Sequence, residues 1–263
     1  MKGLGARLRM LTWEAWLPVV LLAIWWVTSA GSASPYFPSL SEIASRFGEL
    51  WLFEHVVIDL VPSLARLGAG FSVAVVVGLG LGIVLGLSPR LEVAVRPVLE
   101  FVRATPGVAL LPIVMIFFGT GTLMKIVMIA LLAAWPILLN TIDGVRSVEP
   151  ILKDVAATFR MPYRHQLRWV VLPAAAPQII VGARLGLSVG VIVMVVAEMF
   201  GTPGGIGYFI LHAQRSFDLV DMWTGIIALG IVGYLLNNLF RLVERTVLRW
   251  QRNMISQGRG AAR

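Results

Sequence analysis

Six apolar runs, near residues 15–32, 64–87, 102–119, 122–141, 178–200 and 223–240, constrain this chain more than any other feature. At 1.5 Å rise per residue each is long enough, or nearly so, to cross a hydrocarbon core of about 30 Å as a helix. With 58% of residues hydrophobic and 14% charged, the chain is far more apolar than an average soluble domain. It reads as an all-α membrane protein of about six transmembrane helices, a single domain over residues 1–263. A cleaved leader is the competing reading of the first run, because Lys2, Arg7 and Arg9 precede it and small residues follow. Trp13, Trp16, Trp25 and Trp26 flank that run as interfacial anchors would, which favours a retained helix.

The 22 Lys and Arg residues set the topology. A cytoplasmic N-terminus leaves only Arg46, Arg66, Lys125 and Arg215 outside and Arg184 within a span, with all the others inside. Both termini, residues 1–14 and 241–263, and the loop 142–177 are then expected in the cytoplasm. The net charge of +8 is mostly this topology signal. Its basic residues are spread over four membrane-flanking segments and not gathered on one surface, which excludes nucleic acid as a partner. Outside, Glu42, Glu49, Glu54, Asp59, Asp218 and Asp221 outnumber the bases, so no electropositive funnel announces an anion.

The outer segment 33–63 carries turn residues Pro35, Pro38 and Pro62, with Ile43, Phe47, Leu50 and Trp51 at helical spacing between them. An interfacial helix tying the first span to the second is expected. Gly78, Gly82 and Gly86, and again Gly182, Gly186 and Gly190, make smooth stripes, more often a sign of close helix packing than of a pore wall. Pro106 and Pro112 in the third run each remove a helical hydrogen bond, freeing the carbonyls of Val102 and Val108. A kinked helix near a permeation path is expected there. Glu198 closes the fifth run, as an outer-gate contact or as a carboxylate solvated at the interface; Arg184 is expected to snorkel toward the cytoplasmic side. About 21 Å along the helix separates the two, too far for a direct pair.

Residues 154–173, DVAATFRMPYRHQLRWVVLP, form a polar, basic insert between long apolar runs. Ile151, Leu152, Val155, Ala156 and Phe159 share a helical face that can pack, while Lys153, Asp154 and Thr158 stay wet. Pro162 ends that helix near Met161 and is tolerated in the first turn of a second one through Tyr163, Leu167 and Val170. Two short helices joined by a turn are expected, placed where a partner could dock. Arg164 and Arg168 share a face suited to lipid headgroups or an acidic partner.

This spacing resembles the cytoplasmic loop of ABC transporter permeases of the binding-protein-dependent importer class, E-A-A, three residues, G, nine residues, I-x-L-P. Asp154, Val155 and Ala156 stand at the E-A-A places, Arg160 at the Gly place, and Val170, Leu172 and Pro173 at the I-x-L-P places. Arg160 departs from the residue that most easily takes positive φ. RATPGVALLPIVMIFFG, GVRSVEPILKDVA and AEMFGTPGGIGYFI are similar to the subgroup associated with nitrate, sulfonate, taurine and bicarbonate uptake.

The resemblance implies a type I importer permease fold and a second permease subunit, identical or not. It also implies two cytoplasmic ATPase subunits, an external solute-binding protein and a place in the cell (inner) membrane. It makes Asp154, Val155, Ala156, Ala157, Arg160, Pro162, Leu172 and Pro173 the coupling residues, with the small Ala156 and Ala157 allowing close approach to the ATPase, and a small anionic solute the cargo. Pro106, Pro112 and Glu198 are the path or gate candidates. The chain has no G-x-x-x-x-G-K-[ST], no H-E-x-x-H, no G-x-S-x-G and no cysteine, so catalysis, a cofactor and a metal are not expected within it. An ion-coupled secondary transporter would need ionisable groups at mid-depth in paired repeats, and a non-transporting scaffold would not need proline-interrupted spans.

Overall fold

The computed structural model describes residues 2–30, 34, 36–201 and 203–249, without the side chains of residues 2–15 and 153. The expectations placed on the side chains of Lys2, Arg7, Arg9, Trp13 and Lys153, on Pro35, and on residues 250–263 of the tail lie outside what is described. Among the described residues all regular structure is helical: α1 (Lys2–Ser29), α2 (Leu40–Trp51), α3 (Val61–Leu87), α4 (Pro89–Ala104), α5 (Leu111–Phe118), α6 (Thr122–Arg146), α7 (Pro150–Thr158), α8 (Tyr163–Gln166), α9 (Leu172–Phe200), α10 (Ile206–Arg215) and α11 (Leu219–Val247).

The core is α6 held between α3 and α9. A methyl added at Gly70, Gly78, Gly82 or Gly86 of α3 would lie 2.7, 2.9, 2.5 or 2.8 Å from the Cβ of Ile129, Ile137, Thr141 or Val145. These are distances at which two backbones can meet only across glycine. Partner numbers rise together, so α3 and α6 run parallel. On α9 they run oppositely: Gly182 faces Asn140, Gly186 faces Ile137, and Gly190 approaches Ile129. Both glycine stripes are therefore packing surfaces.

Parallel neighbours decide the fate of the third apolar run. Between two parallel spans the chain must cross back, and residues 88–121 hold only α4 and α5, so that pair is the return crossing. It is not the single kinked span expected at 102–119. α4 ends at Ala104, a 3₁₀ turn follows at Gly107–Leu110, and the two arms meet at 93°. Nor are the carbonyls of Val102 and Val108 left free. Val102 accepts from the Thr105 N–H at 3.2 Å, and Val108 from the Leu111 N–H. Pro106 precedes a new turn, and Pro112 sits in the first turn of α5, where a missing N–H costs nothing.

Two other prolines depart from their expected roles. Pro62 is not a turn residue: a π turn at Val56–Leu60, closed by the Val61 N–H on the Val56 carbonyl, carries the helix through it, so the second span begins at Val56 and not near residue 64. The same device, Leu172 N–H to Leu167 carbonyl, precedes Pro173. A wider turn absorbs the missing donor of the following proline. As a result α8 is the start of a continuous helical stretch, Tyr163–Phe200, and not a separate second short helix. The sixth run is longer than expected for the same reason of continuity, extending over Leu219–Val247.

At the end of the bundle where α3 and α6 begin, α2 does more than tie α1 to α3. It docks on α11: the Arg46 guanidinium donates to both Asp221 oxygens at 2.7 and 3.1 Å, and Trp51 Nε1 donates to Thr224 Oγ1 at 3.0 Å. Hydrogen bonds donated to Asp221, then to Glu49, hold the Arg46 pKa above its ordinary value. Trp25 of α1 packs on Trp223, ring centroids 5.3 Å apart.

Candidate functional site: an exposed helix at one end, a buried charge cluster at the other

α7 hangs from the end of the bundle where α6 finishes and the stretch into α9 starts. Glu149 is its N-cap and Pro150 supplies its first turn. Its close is a Schellman turn: the Arg160 N–H donates to the Ala157 carbonyl at 2.8 Å and the Met161 N–H to the Ala156 carbonyl at 3.0 Å. That motif demands a left-handed residue, and Arg160 takes φ of +50°. The turn geometry is kept with a residue that pays a steric cost for it. Replacing Arg160 by glycine is expected to raise the thermal stability of the detergent-purified chain, by up to about 1 kcal/mol. A drop instead would show that the Arg160 side chain makes a contact worth more than the strain.

The apolar face of α7, expected to be one that can pack, does not pack on the rest of the chain. Only Ala156 is buried; Ile151, Leu152, Val155 and Phe159 are exposed, Phe159 to 78%. The helix is too peripheral to reach the core and rests chiefly against the π turn at Leu167–Val171. This also corrects the role of the alanines: Ala156 faces its own chain, and of the two only Ala157 is open to a partner. Asp154, Arg160 and Pro162 are exposed, while Leu172 and Pro173 are half-buried at the root of α9. Arg164 and Arg168 are both exposed, Arg168 lying 5.6 Å from the Trp169 ring.

At the opposite end Glu198 is fully buried, so it is not a carboxylate solvated at the interface. Three residues on two helices, α3 and α10, hold it. Ser63 Oγ lies 2.7 and 2.9 Å from its two oxygens, Arg66 Nη1 donates to Oε1 at 2.7 Å, and the Gly207 N–H to Oε2 at 3.1 Å. Arg66 also reaches the Gly204 carbonyl at 3.2 Å, and the buried Lys125 ammonium lies 3.4 Å from that same oxygen. Asp59 accepts from the Gly205 N–H at 3.0 Å and contacts His55 Nδ1 at 2.7 Å. The loop between α9 and α10 needs its glycines: Gly204 and Gly205 have φ of +113° and +106°, and a Cβ on Gly205 would lie 2.3 Å from the Glu198 carboxyl carbon.

Sequence reading placed Arg66, Lys125 and Glu198 at the same membrane face but not in one cluster. The signal that was there is the spacing of Asp59, Ser63 and Arg66, four and three apart on one helical face at the start of a span. Arg184 is not a lone snorkelling cation either. It donates to Asn237 Oδ1 at 3.2 Å and lies 3.7 Å from Glu244, both on α11. Pro106 and Pro112 stand at the α4–α5 break, Pro106 before the 3₁₀ turn and Pro112 in the first turn of α5.

Residues 74–252 match the family described as binding-protein-dependent transport system inner membrane component. A candidate aliphatic sulfonates transport permease, SsuC of Bacillus subtilis, is 35% identical over 237 residues, covering 89% of this chain and 86% of that protein. The bicarbonate transport system permease protein CmpB of Synechococcus elongatus is 35% identical over 191 residues, 72% of this chain and 68% of that one. The fold is that of the membrane subunit in an inward-facing structure of the MetNI methionine ABC transporter, with a TM-score of 0.64 at 21% identity, covering 76% of this chain and 98% of that chain. With parallel α3 and α6 around a bent return crossing, a short exposed helix before the long α9, and this match over most of its length, the chain belongs to the binding-protein-dependent inner membrane components, the permease subunits of ABC importers.

Proposed function

We propose that α7 and its Schellman turn take the thrust of ATPase subunits in the cytoplasm and pass it through Leu172 and Pro173 into α9. The observation that carries this reading is the uncovered apolar face of α7, Ile151, Leu152, Val155 and Phe159, on a helix joined by one tight turn to the continuous helical stretch Tyr163–Phe200. Burying a phenylalanine stabilises a contact by about 1.5–3 kcal/mol, enough to dominate a small docking surface. In this reading both termini are cytoplasmic, as the distribution of Lys and Arg favours. Two permease copies, identical or paired with a relative, enclose the path, and an external binding protein delivers a small anion of the kind the relatives are named for. Ala157 approaches the ATPase, and Arg160 and Pro162 fix the angle between α7 and α9. Pro106, Pro112 and Glu198 shape the path and its outer closure.

The test is Phe159→Asp. Because the side chain is exposed, the variant is expected to insert and melt like the parent, yet to lose co-purification with the cytoplasmic ATPase subunits by at least tenfold. Undiminished co-purification would end the assignment of α7 as the docking helix. ATP-independent uptake by the chain alone would favour a secondary carrier.

A further inference from the structure

The 93° break between α4 and α5 does more than return the chain. It opens a cavity of about 390 Å³ against the middle of α6 and α9, at the small end of the range for ligand sites. Its walls are apolar, with Val108, Leu132 and Ile192 prominent, and Trp135 among them has its indole N–H enclosed without an acceptor among the described residues. Besides Trp135, the polar side chains of its lining are Arg103 and Thr105, which stand at the break itself. The Arg103 guanidinium makes no hydrogen bond or ion pair with any described residue. It also borders a polar recess of about 240 Å³ that holds Glu100, Asp143 and Arg146, so it sits where an apolar chamber meets charged surroundings. Gly107 fixes the break: a methyl there would lie 2.5 Å from a Leu132 methyl, so the turn is wedged against the cavity wall.

A bare inorganic oxyanion has no use for such walls. Removing polar water from it and surrounding it with Val, Leu and Ile costs free energy that one guanidinium does not return. A molecule with an anionic head and a short alkyl chain fits both halves. We propose that this cavity is a solute subsite within the membrane for organic anions of the alkanesulfonate type, the head held by Arg103 and the chain lying along Val108, Leu132 and Ile192. The assignment rests on the importer reading above and narrows its cargo: it sets the aliphatic sulfonates apart from bicarbonate-like solutes.

The test uses the chain assembled with its ATPase subunits in lipid nanodiscs, without binding protein, with empty nanodiscs as reference. The probes are ethanesulfonate to hexanesulfonate, nitrate, bicarbonate and 1-hexanol, followed by Trp fluorescence with Trp135→Phe as the local control. Affinity is expected to rise roughly threefold to fourfold per methylene along the sulfonates. Arg103→Gln should weaken hexanesulfonate roughly tenfold, Arg103→Lys should restore part of the loss, and Ile192→Trp should abolish binding by filling the chamber. Ile192 and Arg103 are exposed, so neither change is expected to unfold the chain. The proposal is overturned if nitrate or bicarbonate competes as well as hexanesulfonate, if chain length has no effect, or if hexanol binds as tightly and Arg103→Gln changes nothing, which would mark a lipid groove. ATP-driven uptake that persists under those results leaves the importer reading standing and removes only the subsite.

Discussion

Glu198→Ala is expected to cost about 3–5 kcal/mol, the cost of removing one partner from a buried ion pair, against a total stability of about 5–15 kcal/mol for a typical domain. The loss would be read as a collapse in monodisperse yield and a lowered melting temperature in detergent. The cause is what remains behind. Arg66, 12% exposed, and the fully buried Lys125 would lose their carboxylate, and the Ser63 hydroxyl and Gly207 N–H their acceptor. Glu198→Gln, which keeps the shape and an acceptor oxygen, is expected to fall between. The double replacement Arg66→Met and Glu198→Met should recover part of the loss, because two apolar side chains leave no unpaired charge at that position. That double variant also separates structure from gating: folded and transporting normally, it ends the outer-gate role of Glu198, whereas folded and inert it supports that role. An unchanged melting temperature in Glu198→Ala would refute the cluster as a structural clamp.

The second large effect is expected in the α3–α6 seam. Gly82→Ala places a methyl 2.5 Å from Thr141 Cβ and 3.0 Å from the Leu138 carbonyl, both fixed to backbone, so the helices must part. Overpacking of this kind costs about 1–3 kcal/mol, and Gly82→Leu should prevent a stable fold. Two residues earlier, Gly80 has nothing within 4 Å of an added Cβ, and Gly80→Ala should gain about 0.5–1 kcal/mol from helix propensity alone. The same one-methyl change, two positions apart, is thus expected to have opposite signs in thermal melts. Equal effects at the two sites would mean that the parallel seam is not formed by this face.

The segment 150–162 was legible because its cues are local. Pro162 and the apolar spacing before it fix where α7 ends, and the structure agrees to within a residue or two. The break at Thr105 and Pro106 was signalled, but its size was not: a proline reports a lost donor, and the surrounding helices determine whether the chain bends slightly or turns through 93°. The apolar face of α7 was legible but its partner surface was not, because an amphipathic pattern states which side chains avoid water without stating whose surface covers them.

By itself the sequence determined where the apolar runs lie, the glycine stripes and the helix-ending turn before α8; of the six runs expected to span, four described helices are long and apolar enough, or five with the bent α4–α5 pair. Each depends on residues within a few turns of one another. The tertiary structure alone decided that α3 and α6 run parallel, that the bent α4–α5 pair must be the return crossing, and that Glu198 is joined to an arginine 132 positions away. Hydropathy measures how long a segment avoids water; it gives neither the neighbour nor the direction in which that neighbour runs. Those follow from which small-residue faces allow backbones to touch, and from the need of every buried charge to find its opposite.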